Sequence, residues 1–196
     1  HGKGGGVLRD LGSHLLDAAT WLVGPLESVR ADRRILHPRR PGPSGKTVQV
    51  EMEDQVVITA RLPGGALGTL EASKIATGAD DDLRLEVHGT RGAIRFSLAD
   101  LNHLEVFDRA DPEKPLGGTR GWKRIPANQR FDPPAVFPPP RTSGDWLRGH
   151  VHSLFCFLSA VAEGRPADPD IRRGIEVQRM MDAVERSASS GQWEKV

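Results

Sequence analysis

The chain has 196 residues, with 27 Lys+Arg against 26 Asp+Glu, a formal net charge of +1 and 37% hydrophobic residues. That is enough apolar material for a core burying roughly 70% of the extended surface without staples, which excludes a disordered chain. Near-zero charge argues against a nucleic-acid partner, no apolar run approaches the ~18 residues of a membrane span, and the single Cys156 can form neither an internal disulfide nor a Cys-rich zinc site.

The sequence opens His1-Gly2-Lys3-Gly4-Gly5-Gly6, with no Met and no targeting pattern. It reads as the continuation of a longer polypeptide, one domain over 1–196, expected in the cytoplasm. Residues 7–24 form the first expected helix. Leu8, Leu11, Leu15, Leu16, Ala18, Ala19, Leu22 and Val23 share an apolar arc. Asp10, His14, Asp17 and Trp21 lie within about 60° of one another on the other side at the helical turn of 100° per residue. Gly24-Pro25 is a stop signal.

A β-rich middle follows. Val48, Val50, Met52, Val56, Ile58, Ala60 and Leu62 alternate with polar residues, which predicts one long strand over 48–62. Pro63-Gly64-Gly65 turns it into a second strand over about 66–76. Leu83, Leu85 and Val87, then Ile94, Phe96 and Leu98, then 103–108 supply further strands. One apolar and one polar face per strand means an antiparallel sheet covered on one side. Residues 109–144 hold eight of the 15 prolines and are read as a long surface excursion without regular structure. Helices are expected at 145–163 and 170–190, the second opened near Asp168 and Asp170 and closed by Gly191, and the tail from Trp193 can add an edge strand. The fold class is therefore α+β: an open, mostly antiparallel sheet of about six or more strands with helices packed on one face.

Most candidate motifs dissolve on inspection. Gly45-Lys46-Thr47 lacks the first glycine and the following helix of a phosphate loop. No glycine run fits a dinucleotide fingerprint, so no cofactor-binding residues are assigned in this chain. His150 and His152 are two apart on a helix and face different ways, which excludes joint chelation, and no metal is expected. Asp80-Asp81-Asp82 reads as a solvated turn, Arg30, Arg33, Arg34, Arg39 and Arg40 as a solvated edge, and Cys156 as a buried, inert thiol. The Asp10/His14/Asp17 stripe is different. An acid and an imidazole one turn apart are equipment for general-base catalysis, and Trp21 on the same stripe is out of place on a merely solvated face. A metal-dependent hydrolase built on that stripe would need more ligands than the sequence offers.

Gly4-Gly5-Gly6-Val7-Leu8-Arg9-Asp10-Leu11-Gly12-Ser13-His14-Leu15-Leu16-Asp17, followed by Trp21-Leu22-Val23-Gly24, resembles the start of the C-terminal domain in the glucose–fructose oxidoreductase/inositol dehydrogenase (Gfo/Idh/MocA) family. The resemblance continues in Glu53-Asp54, in Gly65 through Ser73, in Leu85 through Gly92, in Gly164-Arg165-Pro166, in Gly174 through Arg179 and in Ser190-Gly191-Gln192-Trp193. It implies a substrate-binding and oligomerisation domain whose N-terminal Rossmann partner, absent from this chain, holds NAD or NADP. It implies a sugar, cyclitol or related polyol substrate and homo-oligomerisation through the sheet. Asp10 and His14 match the family's catalytic acid and imidazole, with Asp17 supporting. The family's Glu-Lys-Pro lysine belongs to the Rossmann half, so Glu113-Lys114-Pro115 is read as coincidence and the isolated chain is expected to be inactive. The alternative is a non-catalytic sugar-sensing or scaffold module of the same fold.

Overall fold

A computed structural model describes residues 5–116, 118–127 and 146–196. The chain divides into two compact units, His1–Gly78 with Pro169–Val196 and Ala79–Asp168.

The first unit opens with a π-helical turn, Leu8–Gly12, running into α1, Ser13–Val23. Gly24 ends α1 at φ 92°, its N–H donating to Thr20 O at 3.0 Å. β1 (Ser28–Arg34), β4 (Gln55–Arg61) and β5 (Leu67–Ser73) follow, with a small hairpin of β2 (Arg39–Pro41) and β3 (Thr47–Gln49) between β1 and β4. The chain returns through α3 (Ile171–Ser190) and β10 (Glu194–Lys195). The sheet order is β10-β1-β4-β5, every pair antiparallel. α1 and α3 cover one face. Leu16, Val29, Val56, Ile58, Ala60, Ala183 and Val184 form a fully buried core between them. The second unit is an antiparallel meander, β6 (Arg84–His88), β7 (Gly92–Ser97), β8 (His103–Asp108) and β9 (Trp122–Pro126), together with α2 (Trp146–Ala162). One row of that sheet alternates in charge, Glu86, Arg95, Glu105 and Arg124, as cross-strand partners. Arg95 stacks 3.9 Å from the Trp122 ring centroid.

The α+β class and the antiparallel pairing are those expected. The expected single sheet is two four-stranded sheets and a two-stranded hairpin. The expected strand 48–62 is broken, because Glu53 and Asp54 turn inward and are buried. Three strands lay hidden in the sequence, the short β2 among them. β1 has only Val29 and Ala31 as inward residues, with four charged ones beside them, and Arg30, Arg33 and Arg34 lie along it. β9 sits inside the proline-rich stretch, because the prolines cluster on either side of it and Pro126 falls at its end. Residues 117 and 128–144 of that excursion lie outside the described residues.

Asp82 corrects the reading of the acidic turn. Its side chain is only 3% exposed and accepts from Arg84 Nε at 2.5 Å, Ser97 Oγ at 2.9 Å and the Ala99 N–H at 3.0 Å. Those donors hold its carboxyl below the usual range, the Arg84 hydrogen bond foremost. Cys156 is only half-buried, its Sγ 3.5 Å from His152 Nε2, because the apolar residues of α2 around it are themselves exposed. Lys46 occupies the β2–β3 turn and no helix follows it.

Candidate active site on the first helix

The helix begins against the segment that leads into β4. The Val7 N–H donates to Glu53 O at 3.2 Å, and the Leu8 N–H donates to the buried Glu53 carboxylate, Oε1, at 3.0 Å. An acceptor at a helix N-terminus satisfies donors the helix itself leaves unpaired. Gly6, at φ 65°, lies against that carboxylate with no room for a Cβ. The first turn is π rather than α, a distortion common at functional sites. The ideal 100° wheel is therefore locally wrong at Asp10. Ser13 Oγ takes up the Asp10 carbonyl at 3.0 Å, leaving the carboxylate for other partners.

Asp10 and His14 both stand on the exposed side of this helix, one turn apart, and Trp21 beyond them is 81% exposed. They are neither sealed under the sheet nor splayed onto different faces. The Asp10 carboxylate meets the ammonium of Lys74, just past the end of β5. The Lys74 hydrogen bond, its charge and the charge of His14 hold the Asp10 carboxyl below the usual carboxylate range. Lys74 was not singled out in the sequence, yet a signal was there: Leu70 and Ala72 are the buried phase of β5 and Lys74 continues that phase.

Asp17 does something else. Arg173 of α3 donates to it through Nε at 2.6 Å, and through Nη2 to the Asp17 carbonyl at 2.8 Å and to Thr20 Oγ1 at 2.5 Å. Burial works against the charge of Arg173, but Asp17 and Glu176 more than offset it and raise its pKa. Asp17 thus ties α1 to α3. His150 and His152 have separate partners, Trp146 and Cys156. Among the described residues no group of three His, Cys, Asp or Glu side chains could hold a metal ion. No described helix is long and apolar enough to cross a membrane.

An antiparallel α+β domain presenting an acid and an imidazole from its first helix matches one class of known domain. The family model for the oxidoreductase-family C-terminal alpha/beta domain (GFO/IDH/MocA) matches residues 1–196, and the chain belongs to that family. It is 28% identical over 206 residues to levoglucosan dehydrogenase of Pseudarthrobacter phenanthrenivorans, spanning 97% of this chain and 51% of that protein. Among solved structures it resembles an oxidoreductase domain protein from Kribbella flavida (31% identity, TM-score 0.89, 97% of this chain and 51% of that one). It also resembles levoglucosan dehydrogenase in complex with NADH and L-sorbose (29% identity, TM-score 0.87, 98% of this chain and 50% of that one). The chain thus spans about half the length of the relatives it matches.

Proposed function

We propose that this chain is the substrate-side half of an NAD(P)-dependent oxidoreductase acting on a sugar, cyclitol or related polyol. The observation that carries it is the exposed Asp10–His14 pair on a helix whose start is fixed by the buried Glu53. The donor set fits a nicotinamide partner in one respect: it supplies an acceptor for a hydroxyl proton and a carboxylate beside it. Among the described residues it offers no cradle for a pyrophosphate, which is assigned to an N-terminal Rossmann domain of the whole protein. The nicotinamide, when bound, accepts hydride from the carbinol carbon, or returns it in reduction. His14 takes the hydroxyl proton as the carbonyl forms, and hands it back in the other direction. Asp10 accepts a hydrogen bond from the substrate and keeps a negative charge beside the imidazole as it protonates. Asp17 supports the pair by fixing the helix that carries it. The whole protein is further assigned to the cytoplasm and to a homo-oligomer formed through the sheet, both resting on the family resemblance.

The test joins this chain to its N-terminal half and assays NAD(P)-linked oxidation across a sugar and cyclitol panel. His14→Ala should lower kcat by about 10²–10⁴-fold, the usual contribution of general-base catalysis. Turnover unchanged by that substitution would mark the fold as a sensing or scaffold module instead.

A further inference from the structure

We propose that Lys74 is the positioning residue of this site, its ammonium holding Asp10 as an oriented anion beside His14. The inference rests on the reading of Asp10 and His14 as the reacting pair.

Ion pairs between two freely moving exposed side chains contribute little. This one differs because a single buried strap fixes both backbones. Glu53 accepts from Val7 and Leu8 at the start of the helix. Its neighbour Asp54 accepts the Lys74 N–H through its carbonyl at 2.9 Å. Asp54 is itself held by the N–H groups of Leu36, at 2.8 Å, and His37, at 3.1 Å, and by the Arg40 guanidinium. Two consecutive residues therefore set the spacing between the turn bearing Asp10 and the strand end bearing Lys74. Lys74 continues the inward phase of β5 past its end, its side chain nearly half exposed and its ammonium on Asp10. The charged neighbours sort accordingly. Arg9, adjacent to Asp10, is engaged by Glu185 at 3.0 Å and Asp182 at 3.7 Å on α3. The charges acting on the Asp10 carboxylate are Lys74 from β5 and His14 from its own helix. A carboxylate that accepts from one ammonium keeps lone pairs for a substrate hydroxyl. Kept ionised and in one rotamer, it offers them in a fixed direction.

Two measurements test this. The first is a carbon-detected NMR titration of the Asp10 carboxyl in the 196-residue chain, assigned with Asp10→Asn. In Lys74→Met the Asp10 midpoint should rise toward that of an ordinary aspartate, and in Lys74→Arg it should stay at the wild-type position. Lys74→Gln serves if the Met variant loses its amide dispersion. The second is hydride transfer in the protein carrying both halves. Lys74→Met should lower kcat about 30-fold and Lys74→Arg restore it to within about threefold, the loss expected when a carboxylate loses its orientation but not its place. An Asp10 midpoint indifferent to Lys74, or a kcat unchanged in Lys74→Met, overturns the inference. Turnover that survives both Asp10→Asn and His14→Ala overturns instead the reading of the pair as the reacting groups, and the titration still decides what Lys74 does.

Discussion

At the scale of single residues, the adjacent acids Glu53 and Asp54 do more for the site than their sequence context suggests. Asp54 is 3% exposed. Burial by itself pushes a carboxyl up, but donations from the His37 N–H, from Arg40 and from the Leu36 N–H outweigh it, so Asp54 sits below the usual range. A carboxyl depressed in the folded state stabilises the fold above the unfolded value near 3.9. That stabilisation drains away as pH falls through the lower, folded value. Asp54→Asn should therefore lose about 2 kcal/mol at neutral pH, the worth of hydrogen bonds to a buried charge. It should also lose less than wild type below about pH 4, where the advantage of the carboxylate has vanished. Urea midpoints measured from pH 7 down to pH 2 check both statements, and parallel curves for the two proteins would refute the second. Asp10 and His14 stood out in the sequence because an acid and an imidazole one turn apart share the polar stripe with an indole, Trp21, and match the family pattern. Lys74 and Glu53 were not, because their significance comes from contacts across 64 and 45 residues.

At the scale of elements, α1 and α3 are joined by the Arg173 clasp on Asp17 and Thr20. α3 itself is well defined at both ends. Asp170 caps its start by accepting from Arg172 N at 2.8 Å, and Gly191 closes it at φ 70°. Arg173→Leu removes three donors and leaves a partly shielded carboxylate. It should cost about 2 kcal/mol, equivalent to a fall in Tm of roughly 4–8 °C for a protein of this size. Thermal melts followed by far-UV circular dichroism read that shift directly, and a Tm within one degree of wild type, about the noise of such a melt, would show that the clasp is decorative. Helices were easier to foresee than strands here for a physical reason. Each helix carries a wide apolar stripe and its own stop signal. A strand needs only two inward residues to be buried, as Val29 and Ala31 show in β1. Charges on its outward face hide it from any pattern that looks for hydrophobicity. β4 and β6 alternate cleanly and stood out. The break before β4 could not be read, because Glu53 and Asp54 look like the polar phase of a continuous strand until their partners are known.

At the scale of the whole molecule, the question is what this chain does without further polypeptide. Every strand pair among the described residues is antiparallel. Dinucleotides are held where a parallel sheet feeds glycine-rich turns into helix N-termini, so that backbone N–H groups meet the pyrophosphate. No described element repeats that arrangement, and the exposed Asp10 would repel rather than attract a phosphate. α2 meanwhile exposes Trp146, Leu147, Val151, Leu154, Phe155, Phe157, Leu158 and Val161, a larger apolar stripe than a free surface usually keeps. Titrations therefore need light scattering alongside them to show that the sample stays monodisperse. Under that control, NADH added to the isolated chain should give no saturable heat at concentrations up to about 1 mM, where a productive site would bind with ΔG near −4 kcal/mol or better. The same chain joined to its N-terminal half should bind NADH saturably. Saturable micromolar binding by the isolated chain would locate nucleotide recognition in the antiparallel half, and the division of labour between a cofactor domain and a substrate domain would have to be abandoned.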